Sequence, residues 1–234
     1  MIVTLNEVQR ACQKALYGAG APAGLDDDGA AAAAWLEVRG LPALAPLAAA
    51  LERWDGDPRA SRLEETAPGA FHAGGRSAVF LGPLLIDTAI AYADEEGHAA
   101  LDIAALANPE FLVPLAHEAG RAGWSFALSW PGCGATVAAE TGTTLLGDWR
   151  APVQGPCEVT LRCWRAAAES SDLSLPVALG PAELEARCRE TLAAGLDVAE
   201  PVWQTIGRYA QRALVPASAE SRARGAGSAA SDNE

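Results

Sequence analysis

Histidine is scarce in this chain: its 234 residues hold three, His72, His98 and His117. That thins the supply of side chains able to exchange a proton near neutral pH. The sequence has no Gly-x-Gly-x-x-Gly, no Walker loop, no Gly-x-Ser-x-Gly elbow and no His-Glu-x-x-His segment. The usual signatures of dinucleotide, nucleotide, serine-hydrolase and zinc-protease chemistry are therefore missing, and no cofactor is expected. Cys12, Cys133, Cys157, Cys163 and Cys188 make no Cys-x-x-Cys pair and have no histidine at zinc-ligand spacing, so reduced thiols and no metal site are expected. No apolar run reaches the ~18–20 residues of a membrane helix. Met1 to Glu7 show no basic segment followed by an apolar run and a cleavage site, so the protein is expected to be soluble and cytoplasmic. After Val215 no large apolar side chain occurs. Residues 215–234 thus read as a flexible tail, because burial cannot offset a backbone ordering cost of roughly 1–2 kcal/mol per residue.

What is present begins with charge. A formal net charge of −13 repels phosphate backbones and anionic lipid surfaces, which argues against nucleic acid and membrane as partners. Local patterns then divide the chain. Thr4 and Glu7 form a capping box, followed by Leu5, Val8, Cys12, Ala15 and Leu16 on one helical face, with Gly18 as the stop. Asp26, Asp27 and Asp28 suit the start of a second helix ending at Arg39-Gly40, and Pro42 suits the first turn of a third ending near Trp54. Residues 55–77, with Pro68 and several glycines, read as a loop or linker. Leu84, Leu85, Thr88, Ala91 and Tyr92 resume helical spacing up to the acidic turn Asp94-Glu95-Glu96-Gly97. Asn108 and Pro109 read as N-cap and first residue of a helix through His117, with Pro114 expected to kink it.

Beyond that point the period changes to two. Trp124, Phe126, Leu128 and Trp130 alternate with Ser125, Ala127 and Ser129, and short strands follow at 136–140, 143–147 and 157–164. An edge strand is expected within 173–179. Two helices close the pattern, Pro181 to Ala194 and one opened by a second capping box, Asp197 with Glu200. The fold class read from this is α+β: a three-helix opening (1–54), a linker (55–77), and central helices with an antiparallel meander and two C-terminal helices (78–214). Residues 1–214 are expected to form a single domain.

Several ordered stretches resemble an uncharacterised bacterial family catalogued as a domain of unknown function. They are Leu5-Asn6-Glu7, Tyr17-Gly18-Ala19-Gly20, Trp35-Leu36 with Arg39-Gly40-Leu41-Pro42, Ser129-Trp130-Pro131-Gly132, and the tail from Val215-Pro216-Ala217-Ser218 to Gly225-Ala226-Gly227. That resemblance brings no reaction with it. The helical opening ending in Leu36-Glu37-Val38-Arg39-Gly40 is also similar to the start of the malate and lactate dehydrogenases that lack a Rossmann fold. Their resemblance implies an Asp-Ser-His-Gly segment with the catalytic histidine at the next position. Here Leu41-Pro42-Ala43-Leu44 follows instead, and the hydride-transfer acid is missing.

Candidate site residues follow from chemistry alone. His72 lies four residues before Arg76, a pairing able to gather a carboxylate, or simply a solvated loop pair. Asp87 sits within an apolar helical segment, either on its solvent side or buried as a base. His117 is next to Glu118, but adjacent helical residues diverge by about 100° and make no dyad. His98 beside the acidic turn reads as surface electrostatics. Cys133 in a glycine-flanked turn has no nearby cation to activate it. Ser218, Ser221, Arg222 and Arg224 form an anion-binding set in the tail. The leading expectation is an auxiliary, partner-binding subunit that takes a protein partner, a second copy or a small acidic metabolite, with the tail as contact element. The alternatives are an enzyme of hydrolase or lyase type acting on a small carboxylated or amide substrate, and an oligomeric scaffold exposing an apolar strip with Trp124 and Trp130.

Overall fold

Local signals set the first helices. In the computed structural model, which describes residues 1–139, 141–149, 153, 155–165 and 173–213, Thr4 caps α1 (Leu5–Gly18). Its hydroxyl accepts the Glu7 N–H at 3.2 Å, while Glu7 Oε2 accepts the Thr4 N–H at 2.7 Å. The predicted apolar face, Val8, Cys12, Ala15 and Leu16, is the buried one. α2 (Leu25–Glu37) carries its three aspartates in the first turn, where they meet the positive end of the helix dipole. α3 (Leu44–Arg53) starts two residues beyond Pro42. Its opening N–H groups find a remote acceptor: Glu37 Oε1 takes both the Ala43 and the Leu44 N–H at 2.7 Å. Pro46 then falls in the first turn, where no intrahelical acceptor is lost.

The segment expected to be a linker holds two strands, β2 (Glu64–Ala67) and β3 (Ala70–His72), folded back at Pro68-Gly69. α4 (Ala78–Glu96) follows, capped by Ser77 and stopped by left-handed Gly97. The next strand, β4 (His98–Leu106), lies where no strand was expected. Its buried face is Ala99, Leu101, Ile103 and Leu106, while His98, Ala100 and Asp102 face outward. A 3-10 turn, η1 (Pro109–Phe111), leads into α5 (Leu112–Gly120). The anticipated kink at Pro114 is replaced by this split, since Pro114 sits in the first turn of α5 and deprives no carbonyl of a partner.

The strands β5 (Trp124–Trp130), β6 (Cys133–Ala138) and β7 (Gly142–Gly147) make the expected antiparallel run. It is not a simple meander. β8 (Cys157–Arg165) inserts between β4 and β5, and β3 runs parallel to β4. With β9 (Val177–Leu179) on the edge, the eight strands lie in the order β2-β3-β4-β8-β5-β6-β7-β9. α4 and α5 pack on one face, and α2 lies over both. Their apolar side chains form one contiguous core. Two closing helices are present, α6 (Pro181–Ala194) and α7 (Glu200–Gln211). The capping box at Asp197 is not: Asp197 belongs to β10 (Leu196–Asp197), which pairs with β1 (Ile2–Val3), and α7 starts after Ala199 without a side-chain cap. The α+β class stands. Among the described residues no helix is long and apolar enough to cross a membrane.

Candidate functional site

The end of β4 is strained. Ala105 (φ 55°) and Asn108 (φ 54°) are the non-glycine residues with left-handed backbone among those described, a conformation that costs an ordinary side chain about 1–2 kcal/mol. The neighbouring segment holds them there. Ala105 O accepts the Gly75 N–H, Ala107 exchanges bonds with Arg76 and Ala78, and Ser77 Oγ donates to Asn108 Oδ1 at 2.8 Å. Such strain collects at working sites, and here it turns the chain so that η1 points Glu110 into a cleft.

The cleft has two parts. An inner cavity of about 20 Å³ is bounded by Leu36, Leu41, Glu110, Trp130, Cys133 and Val153. Through Leu41, Pro42, Asp148 and Trp149, which line both parts, it adjoins a recess of about 810 Å³ whose wall includes Arg187 of α6. Trp149 is fixed by its indole N–H, which donates to Leu146 O at 3.0 Å, and by edge-to-face contact with Trp130 at 5.3 Å between ring centres. Cys133 Sγ donates to Asp148 O at 2.8 Å.

Glu110 is 7% exposed, and neither carboxylate oxygen has a hydrogen-bond partner. Burial pushes its carboxyl up to about 7, against smaller opposing effects of its own backbone N–H and the nearby Asn108 side chain. Both are long hydrogen-bonding approaches that fall outside the usual distance and angle limits. The thiols nearby stay protonated: burial, and then the charges of Asp148 and Glu110, raise Cys133 against the pull of its bond to Asp148 O. Cys157, opposite Leu106 at the start of β8, is pushed up to about 11 by burial and then by the Glu110 charge. Neither is an activated nucleophile. Among the described residues no group of three His, Cys, Asp or Glu side chains converges to hold a metal.

The residues singled out from sequence lie elsewhere. His72 is exposed at the end of β3, and Arg76 donates to Arg62 O at 2.7 Å; the two flank Gly74 on the surface. Asp87 is on the solvent side of α4, close enough to α2 for its charge to raise the Asp28 carboxyl after burial has done so. His98 is exposed, and Glu118 points away to Arg121. Trp124 and Trp130 are both about 5% exposed, so they form no open apolar strip. Ser218, Ser221, Arg222 and Arg224 lie outside the described residues, as does the rest of 214–234.

His117 is half-buried in a second polar cluster and lines neither part of the cleft. Its Nδ1 meets Thr143 Oγ1 at 2.8 Å and its ring lies 5.3 Å from Trp35. Over Trp35 sits the Arg39 guanidinium, 4.0 Å from the ring centre and paired with Glu185 at 2.9 Å. Burial, and then the Arg39 charge, hold the imidazole below its ordinary 6.5. The fold therefore prefers the neutral ring, so the stability it contributes is lost as pH falls below 6.5 and the unfolded chain takes up the proton first. A ring-nitrogen NMR titration is expected to place His117 below 6.5; a value above it would contradict this environment.

Sequence reasoning missed Glu110, Asp148, Trp149 and Arg187. Glu110 did carry a signal, an acid between Pro109 and the apolar run Phe111-Leu112-Val113, of the same kind noted at Asp87.

The N-terminal third matches a family of unknown function. The family model, described as "Protein of unknown function (DUF3726)", covers residues 3–77 and so contains the Leu5-Asn6-Glu7, Tyr17-Gly18-Ala19-Gly20 and Trp35 to Pro42 motifs. No curated protein matches the sequence. Among solved structures, a dehydrogenase from Sinorhizobium meliloti superposes with a TM-score of 0.64 at 15% identity, over 90% of this chain and 99% of that one. A malate dehydrogenase from Pyrococcus horikoshii gives 0.57 at 9% identity (91% and 95% covered), and a sulfolactate dehydrogenase from Methanocaldococcus jannaschii gives 0.58 at 8% (91% and 97%). At these identities the likeness is one of fold. It bears out the resemblance of the opening helices to that family, and Leu41 and Pro42, where the resemblance implies a histidine-bearing segment, line the cleft.

Proposed function

We propose that the cleft binds a small carboxylated metabolite and that Glu110 changes its protonation state with binding. The observation that carries this reading is a buried carboxyl with both oxygens unpartnered, facing a cavity. Natural proteins seldom leave such a group without a use, because burial of an unpaired acid is costly and its raised pKa suits proton exchange near neutrality. Arg187 on the recess wall suits a carboxylate. The superposed proteins named for malate and sulfolactate support an acidic ligand by analogy of fold.

Hydride transfer of the neighbours' type is not part of the proposal, since Leu41-Pro42-Ala43-Leu44 offer no proton-transferring side chain. A role as a ligand-binding auxiliary subunit fits better. The raised Glu110 carboxyl favours one further reading, general acid–base catalysis on a small carboxylated substrate. A panel of small carboxylic acids, with and without amino groups, tests the site by thermal shift and calorimetry. Binding by the intact protein, weakened about tenfold or more in Arg187→Ala, is expected for a carboxylate paired with a guanidinium. An absence of binding across the panel would sink the reading, and turnover of any member would decide for catalysis.

A further inference from the structure

We propose that the occupant of the cleft carries a primary ammonium group as well as its carboxylate, and that it enters nitrogen first, the ammonium against Glu110 and the carboxylate toward Arg187. This deepens the function proposed above and rests on it.

The walls are asymmetric in charge and in hydrogen-bonding capacity. Glu110, on the wall of the inner cavity, carries two acceptors without donors, Oε1 and Oε2, and among the described residues no base lines that cavity. Cys133 donates its S–H to Asp148 O, and the Trp130 indole N–H acts on the Cys133 sulfur from beyond strict hydrogen-bond geometry. Of the described residues lining either part, Arg187 is the one base, and it belongs to the recess.

A carboxylate driven inward would therefore meet an acid. It would bind only while Glu110 kept its proton, and against like charge. An ammonium reverses each of these terms. It brings three donors to two empty acceptors, pairs with the ionised form of Glu110, and passes indole rings that attract cations at their faces. The inner cavity, about 20 Å³, admits one group of about the size of a water molecule, which suits a terminal ammonium and excludes a branched or planar head. The recess takes the remainder of the molecule.

The proton balance is fixed by this arrangement. The ligand nitrogen is already protonated near neutral pH, so binding converts protonated Glu110 to carboxylate and releases that proton to solvent. The titratable groups that feel Glu110 are the thiols of Cys133 on β6 and Cys157 on β8, with Asp148 acting on Cys133 from after β7. α2, α4 and α5, which pack against η1, add no charged side chain to the influences on Glu110. Inward binding of a carboxylate would instead take up a proton.

Calorimetry on the full chain at about pH 6.5, in two buffers of different ionisation heat, reads this difference directly. The probes are glycine, 4-aminobutyrate and 6-aminohexanoate, each against its counterpart without the amino group. The expected result is that at least one amino acid binds about tenfold or more tightly than its counterpart, with net proton release. In Glu110→Gln that preference and the proton release disappear. Should the variant fail to fold, the sign of proton exchange in the unaltered protein decides alone. Equal or tighter binding of the counterpart acids, or proton uptake, would overturn the inference while leaving the carboxylate site intact. Failure of both series would remove both.

Discussion

Glu110→Gln should stabilise the protein by about 3 kcal/mol at alkaline pH and change its stability little near pH 4. A carboxyl moved from its ordinary 4.5 to about 7 holds its proton more tightly in the fold than in the unfolded chain. The favourable contribution of that bound proton is complete below the unfolded value and is lost as pH rises through about 7. Glutamine has the same shape and no charge at any pH, so it lacks this loss. Urea denaturation of both proteins across the acid-to-alkaline range would show the curves separating as pH rises. Parallel curves would mean that Glu110 is solvated or paired in solution. A substitution that strengthens the fold while weakening ligand binding marks a group retained for function.

Gly147→Ala acts in the opposite direction, with an expected loss of about 3–5 kcal/mol. Gly147 has φ 85°, and a Cβ there would lie 2.1 Å from Gly132 O and 2.9 Å from Cys133 Cα. Both obstacles are backbone, so no side chain can swing aside. The same residue pairs with Cys133 in the β6–β7 register, and its N–H donates to Pro176 O. Relief of the clash must therefore move the wall that carries Cys133 and Asp148. Gly123→Ala is the control: its φ is 91° but nothing lies within 4 Å of an added Cβ, so it should lose only the conformational cost of about 1–2 kcal/mol. Chemical denaturation of the two variants separates collision from backbone preference, and equal losses would contradict the close approach at Gly147.

Features written in a few adjacent residues were legible from sequence. The Thr4–Glu7 box, the buried face of α1 and the existence of strand β5 need no information beyond their own segments, although β5 is buried on both faces rather than one. Long-range pairing decided the rest. β4 contains four alanines among its nine residues, so its apolar and polar faces contrast weakly, and it becomes a strand because β8 and β3 supply its ladder from opposite sides. Asp197 has the composition of a cap but is held by β1, where it also accepts from the Met1 amino group. The cleft was less legible than the fold. Glu110, Cys133, Trp149 and Arg187 come from four separate segments of the chain, none with a motif of its own. His117 was found by residue type, yet its partners Thr143, Trp35 and Arg39 are set by tertiary packing.

The account depends on Glu110 being buried, unpartnered and able to exchange a proton near neutrality. Following its side-chain carboxyl carbon by NMR through a pH titration of the ligand-free protein measures that state directly. The predicted midpoint is about 7; a midpoint at the ordinary 4.5 would contradict the account.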